Sequence, residues 1–193
     1  LSIRRQRQMC IRDSAEWGAD SIRVGIGGGS ICSTRLVSGH GIPTLQSIME
    51  CARTPHSAKI IADGGIKTSG DIVKALALGA DFVMVGSLFA GTKETPGNVF
   101  TSSKGKKYKV YRGMASAKAQ EDWRGKASTP EGISTTVPYK GKVASILNNL
   151  SGGIRSGFSY SGARNLKELQ AKSKFIRQTS AGQLESSTHA MRR

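Results

Sequence analysis

The chain reads as an α/β protein built on a parallel sheet. Three observations carry that expectation. Short, near-continuously apolar runs (Ser21–Ile26, Lys59–Ala62, Asp81–Val85) alternate with segments whose apolar residues fall at helical spacing, which is the pattern of strands covered by crossover helices. Each run ends in glycine beside Ser or Asp, at Gly29-Ser30, Asp63-Gly64-Gly65 and Gly86-Ser87. These endings recur every 20 to 35 residues or so, the length of a strand–helix unit (about 30 residues).

The elements follow in order. The first fourteen residues, Leu1-Ser-Ile-Arg-Arg-Gln-Arg-Gln-Met-Cys-Ile-Arg-Asp-Ser14, resemble translated sequencing adapter and are expected to be non-native, outside the fold. The first strand, Ser21–Ile26, runs into a glycine-rich loop that reaches Arg35. Pro43–Ala52 places Leu45, Ile48, Met49 and Ala52 on one helical face, with Pro43 suited to the first turn. The second strand, Lys59–Ala62, leads to a helix over Ser69–Leu78 that Gly79 closes as a C-cap. The third strand follows at Asp81–Val85. Residues 92–141 break the pattern: they are rich in Lys, Ser, Thr and Gly, with Tyr108, Tyr111, Trp123 and Tyr139 scattered among them. A long loop, a flap or a small hairpin is expected there, partly docked through the aromatics and Pro138. Helical pattern returns at Val143–Leu150 and Asn165–Lys172. Phe175–Gln178 reads as a short strand, and Ser180–Arg193 as a tail.

Composition narrows the function classes. A chain of 193 residues that is 37% hydrophobic and 22% charged can bury one domain's core. No apolar stretch approaches a membrane span and no segment has the layout of a secretory signal. Cys10, Cys32 and Cys51 form neither a disulfide framework nor a metal set, so a reduced, cytoplasmic setting is expected. The net charge is +16, of which the first fourteen residues carry +3, leaving +13. Its basic residues are spread along the chain apart from Lys104-Gly-Lys106-Lys107-Tyr-Lys109 and the two ends. That distribution reads as a solvated basic surface whose field favours a small anion such as a mononucleotide phosphate. A nucleic-acid partner is not expected.

Cys32 is the sharpest candidate for chemistry. A lone cysteine is more often a packing residue, but four glycines occupy the seven positions before this one. Such a loop at the end of a strand brings backbone amides and a nucleophilic thiol to a polar substrate. The glycines of all three strand endings let N–H groups approach a phosphate, and the serines add hydroxyl donors. In a (β/α)8 barrel such strand ends share one face, where active sites are built.

These residues, taken together, match something known. Gly-Gly-Gly-Ser-Ile-Cys-Ser-Thr-Arg (27–35), Ile-Ala-Asp-Gly-Gly-Ile (61–66), Gly-Ala-Asp-Phe-Val-Met-Val-Gly-Ser (79–87), Tyr-Arg-Gly-Met (111–114), Glu131-Gly132, Val-Pro-Tyr-Lys-Gly (137–141) and Gly-Gly-Ile-Arg-Ser (152–156) occur in this order. From about Ala15 to His189 the chain resembles the C-terminal part of the IMP dehydrogenase/GMP reductase family. The resemblance implies a (β/α)8 TIM barrel of which this chain holds about the last three strands, with a flap-like insertion over 92–141 and C-terminal helices. An open portion of a barrel leaves strand edges unpaired. The polypeptide is therefore expected to be a fragment, inactive alone, of a cytoplasmic homotetramer.

The resemblance also implies roles. Cys32 matches the cysteine that attacks C2 of a purine nucleotide, and Thr34 and Glu131 match the pair that moves protons. Asp63 matches the residue that accepts from the ribose hydroxyls. Ser30, Gly65, Gly86, Ser87 and Tyr111 match the 5′-phosphate cradle, and Gly113 and Met114 match contacts to the base. The carbonyls of Gly27, Gly29 and Cys32 match a monovalent-cation site, expected to take K+, which a neighbouring subunit's tail completes, here around Glu185–Ser187. His40 lies nearest the catalytic loop among the three histidines, with His56 and His189 read as surface residues.

Two branches remain. The dehydrogenase oxidises IMP with NAD and hydrolyses the intermediate with a flap Arg-Tyr pair. The reductase expels ammonia from GMP and uses NADPH. The stretch between Met114 and Glu131 is short and holds Trp123-Arg124 but no Arg-Tyr, which favours the reductase. Thr129-Pro-Glu-Gly132 and the tail Ser180–His189 look more like dehydrogenases. A non-catalytic nucleotide-binding relative would have lost its nucleophile, whereas Cys32, Thr34 and Glu131 are all present.

Overall fold

The computed structural model describes residues 11–55 and 57–186. Within them α1 covers residues 11–16. It is followed by β1 (Ser21–Val24), α2 (Thr34–Val37), α3 (Thr44–Ala52), β2 (Lys59–Asp63), α4 (Ser69–Ala77) and β3 (Phe82–Met84). The three strands form a parallel sheet in the order β1-β2-β3, with Ile22 opposite Ile60 and Ala62 opposite Val83. Parallel neighbours need crossover helices, and α3 and α4 supply them.

The strand side chains alternate between two environments. Val24, Ile60 and Ala62 are buried with Ile48 and Cys51 of α3 and Ala75 of α4. Ile11, in the segment expected to lie outside the fold, joins this core at 4% exposure. The opposite face carries Arg23, Asp63, Phe82 and Met84, and Phe82 is 58% exposed there. The sheet is thus covered by helices on one side, among the described residues. Asp81 ties β2 to the entry of β3, its carboxylate accepting from the Ile60 N–H at 2.9 Å and the Lys59 amine at 3.1 Å. Pro43 stands at the N-cap of α3, one position earlier than the first turn expected for it. Thr68 and Asp71 form a reciprocal capping box on α4.

Residues 92–141 are more ordered than a loop. They hold a three-stranded antiparallel sheet of β4 (Phe100–Thr101), β5 (Lys107–Arg112) and β6 (Ser134–Pro138), with α5 (Ala117–Arg124) between β5 and β6. The Phe100 and Tyr108 rings stack at 5.6 Å across β4 and β5. Lys109 is buried at 2% exposure, its amine donating to the carbonyls of Thr92 (3.1 Å) and Thr95. Backbone bonds then lock the sheet's exit to the end of the parallel part, with Lys140 N–H to Gly91 O at 2.8 Å and Lys93 N–H to Gly141 O at 2.7 Å.

Helix α6 (Val143–Tyr160) runs ten residues beyond the expected Leu150. Its glycines, which read as breakers, serve close packing: a Cβ on Gly153 would stand 2.1 Å from Ser69 Oγ, and one on Gly157 2.6 Å from Val73 Cγ2. Helix α7 (Leu166–Lys172) buries Leu169 beside Ala77 and Ala163. No strand forms at 175–178; that stretch is irregular, and α8 (Ser180–Glu185), capped by Thr179, replaces the start of the expected tail. The remainder of the tail, with Ser187 and His189, lies outside the described residues, as do residues 1–10 and His56. No helix among the described residues is long and apolar enough to cross a membrane.

Candidate active site

Strand β1 ends at Val24 because Gly25 turns the chain with φ +132°, and a side chain there would strike the Asp63 carbonyl at 2.2 Å. The loop that follows delivers Cys32 to the surface. Its Sγ–H donates to Thr34 Oγ1 at 3.1 Å, where α2 begins. The Cys32 N–H turns back to the Gly29 carbonyl at 3.2 Å.

A second segment is pinned beside this loop. Ser33 N–H donates to Glu131 O at 2.9 Å and Ile133 N–H to Ile31 O at 3.0 Å, so residues 131–133 run antiparallel to 31–33 with Gly132 opposite Cys32. On its other side Glu131 N–H donates to Ala115 O at 3.1 Å. Gly132 sits between the two layers, and a Cβ there would come within 3.2 Å of Ser116 N and 3.3 Å of the Ala115 carbonyl carbon. The result is a cavity of about 490 Å³ shared by Cys32, Glu131, Asp63, Tyr111, Gly113 and Met114. Gly27 and Gly29 lie in the same wall.

Other expected residues are placed elsewhere. Gly86 lines an adjoining cavity of about 560 Å³ that shares Tyr111, Arg112 and Met114 with the first. Tyr111 stands at the junction, since a Cβ on Gly86 would lie 2.9 Å from its hydroxyl. Gly65 borders a separate hollow with Thr44 and Gly28, and Ser30 is exposed at the turn before Cys32. Ser87 is held from outside the cavity: the Lys140 amine donates to the carbonyls of Ser87 (2.8 Å) and Leu88 (3.1 Å). Partial desolvation there pushes the Lys140 amine below the usual lysine range. His40 is exposed, its Nδ1 2.6 Å from the Ser38 carbonyl, and does not enter the cavity wall.

Two participants escape sequence reasoning. Arg23 pairs with Asp63 at 3.3 Å across β1 and β2 and lines the cavity. Its only sequence signal is a charge inside an apolar strand. Gln120, on α5, is 5% exposed and bonded to both sides of the segment carrying Glu131; nothing in its sequence surroundings marks it.

A thiol with a hydroxyl partner, a glutamate in the same cavity wall and glycine-lined strand ends form a nucleotide-sized site with groups suited to covalent and proton-transfer chemistry. A family model described as IMP dehydrogenase / GMP reductase domain matches residues 7–189, and the chain belongs to that family of purine nucleotide oxidoreductases. Among particular relatives, the chain is 52% identical to the inosine-5′-monophosphate dehydrogenase of Aquifex aeolicus (strain VF5), covering 90% of this chain and 38% of that protein. It is 47% identical to the GMP reductase of Leishmania major, covering 92% of this chain and 38% of that protein. A crystal structure of GMP reductase C318A from Trypanosoma brucei, in complex with guanosine 5′-monophosphate, superposes with TM-score 0.85 at 45% identity. It matches 90% of this chain and 37% of that one. The chain thus spans less than two fifths of the length of these relatives.

Proposed function

We propose that the protein carrying this chain is a purine nucleotide oxidoreductase acting through a covalent bond between Cys32 and purine C2, and that it is a GMP reductase. The parallel strands β1 to β3 are read as part of a (β/α)8 barrel, with the site at their C-terminal ends. The observation that carries the reading is the meeting of Cys32, whose thiol donates to Thr34, with Glu131 at one cavity.

Purine C2 lies between two ring nitrogens and is electrophilic. The Cys32 sulfur adds there, and the ring nitrogen takes the electron pair. Thr34 and Glu131 hand a proton to the exocyclic amino group, the C2–N bond breaks, and ammonia leaves while sulfur stays on C2. NADPH, held in the adjoining cavity lined by Gly86, Tyr111 and Lys118, would supply hydride chemistry at C2, and Cys32 would leave C2 as thiolate to give IMP. Asp63, steadied by Arg23, orients the ribose hydroxyls. Tyr111 and the Gly86–Ser87 turn face the phosphate. The adjoining 560 Å³ cavity has nucleotide size and an available cation in Lys118, which fits part of a dinucleotide. The Gly27, Gly29 and Cys32 carbonyls are a neutral donor set suited to a weakly hydrated monovalent cation such as K+. The Gly29 oxygen keeps one lone pair beside its bond from the Cys32 N–H.

The stretch from Ser116 to Thr129 supports the reductase branch. Its arginine, Arg124, stacks on Trp123 at 4.1 Å, and the stretch contains no Arg-Tyr pair to activate water. The second reading is an IMP dehydrogenase using NAD, favoured by Thr129-Pro-Glu-Gly132 and by the 52% identity to the Aquifex enzyme. Assay of the protein carrying this chain decides between them. GMP with NADPH should release ammonia; NADH formation from IMP with NAD establishes the dehydrogenase instead.

A further inference from the structure

The proton-transfer carboxylate proposed above is held by a buried amide that the reaction itself does not use. Gln120 sits on the inner face of α5 at 5% exposure, and burying an amide costs free energy unless its donors and acceptor are used. Here they are. Its Nε2 donates to the Ala115 carbonyl at 3.1 Å. Its Oε1 accepts from the Ser128 N–H at 2.8 Å and from the Ser128 hydroxyl at 3.0 Å. The Ala115 carbonyl also accepts the Glu131 N–H at 3.1 Å. The side chain therefore closes a ring that runs from Ala115 through α5 to Gln120, across to Ser128, along to Glu131 and back to Ala115.

The ring needs each of its parts. Ser116 caps α5 and accepts the Gln120 N–H at 3.0 Å, which sets the helix in register with Ala115. Gly125 ends the helix in the left-handed conformation at φ +74°, turning the chain back towards Ser128. Residues 125–130 are exposed and form no helix or strand, so without Gln120 the approach to Glu131 has little to fix it.

We infer that Gln120 is the positioning residue for Glu131, fixing the return of the 116–130 excursion so that the carboxylate faces Cys32. This rests on the reading of Glu131 as the proton-transfer group. Gln120 touches neither substrate nor thiol.

The test uses Gln120→Met, close in volume but unable to bridge, with Gln120→Glu as a partial restoration that keeps the acceptor for Ser128. Gln120→Met should lower kcat about tenfold, in line with a weakened acid/base contribution, leave KM for the mononucleotide within about twofold, and move the pH–rate limb that Glu131→Gln removes. Gln120→Glu should recover part of the loss. In a Glu131→Gln background Gln120→Met should do nothing more to kcat. Equal losses in both backgrounds overturn the proposal. Amide hydrogen exchange gives a readout free of activity: exchange at Ser128 and Glu131 should quicken in Gln120→Met while that at Ile133 does not. Unchanged exchange at Glu131 also overturns it. If Glu131→Gln alone leaves activity intact, the reading of Glu131 fails, whereas the exchange result still decides the mechanical link.

Discussion

A Cβ built on Gly64 would stand 2.8 Å from the carbonyl carbon of Gly28, so the loops after β1 and β2 meet backbone to backbone. Gly64 also has φ +87°, where L side chains are strained. The loop bearing Cys32 thus rests on the turn that directly follows Asp63 at the end of β2. The contact ties the Cys32 loop to the end of the strand bearing Asp63 through Gly28, Gly29 and Gly64.

Gly64→Ala should destabilise the protein by about 2 kcal/mol or more, combining left-handed strain with displacement of the neighbouring loop. It should also loosen the Cys32 loop, seen as a changed rate of thiol labelling. Gly70→Ala is the control: it lies inside α4 with its nearest neighbour at 3.6 Å, ordinary contact, and should gain up to about 1 kcal/mol from helix propensity. Urea unfolding of both variants checks the pair. Similar effects at the two sites would show that the Gly28 contact carries no strain.

Removing the hydroxyl that accepts the Cys32 thiol should slow chemistry and leave binding in place. Thr34→Val is expected to reduce kcat by about 10²- to 10⁴-fold, the usual span for a positioned acid/base group. Thr34→Ser should keep most of the activity, and Cys32→Ala should have none. Residual turnover in Cys32→Ala would remove the covalent route altogether. Steady-state rates with mass spectrometry of the trapped sulfur adduct measure all three.

Lys140 is expected to act on substrate affinity through the turn it holds. Its amine bonds two successive carbonyls, Ser87 and Leu88, from a position 53 residues further along the chain. Lys140→Met should raise KM for the mononucleotide about tenfold with kcat little changed, since the turn is freed but Cys32 and Glu131 are not. Because desolvation lowers the amine's pKa, the wild type should lose proton and affinity at a lower pH than an ordinary lysine would. Lys140→Arg should hold its affinity through that alkaline range. A KM profile for Lys140→Arg that rises with pH as the wild type's does would rule out the amine as its source.

How far the sequence speaks depends on which physics shapes each part. The parallel strands were legible because Ile22, Val24, Ile60 and Ala62 give compact apolar runs followed by glycine turns. Cys32, Asp63, Tyr111, Gly113, Met114 and Glu131 were legible through their motif, and one cavity brings them together. Strands β5 and β6 were legible only as the hairpin alternative for 92–141, because Lys107, Lys109 and Thr135 suggest solvent, whereas Lys109 is buried on carbonyls that no local pattern announces. The full length of α6 was hidden for the opposite reason. Gly153 and Gly157 look like breakers, but what they allow is close approach to Ser69 and Val73, sequence-distant partners. Gln120 and Lys140 act through bonds that exist only once the chain is folded.

The acid limit of stability should depend on Asp71. Burial pushes its carboxyl up, but hydrogen bonds from the Lys74 amine, the Lys67 N–H and the Thr68 hydroxyl, with the Lys74 charge, together outweigh this and hold it below the usual range. A carboxylate whose pKa is lower in the folded than in the unfolded chain adds stability that is complete above the unfolded value. That stability is lost as pH falls through the folded one. The window therefore lies below about pH 4. Asp71→Ala removes the N3 half of the α4 capping box and should cost about 1 kcal/mol at neutral pH. At pH 3 the difference from wild type should shrink, because the wild type has begun to lose the same interactions. Urea midpoints at both pH values measure it, and a difference that does not change with pH would mean that the ionised carboxylate contributes nothing to this cap.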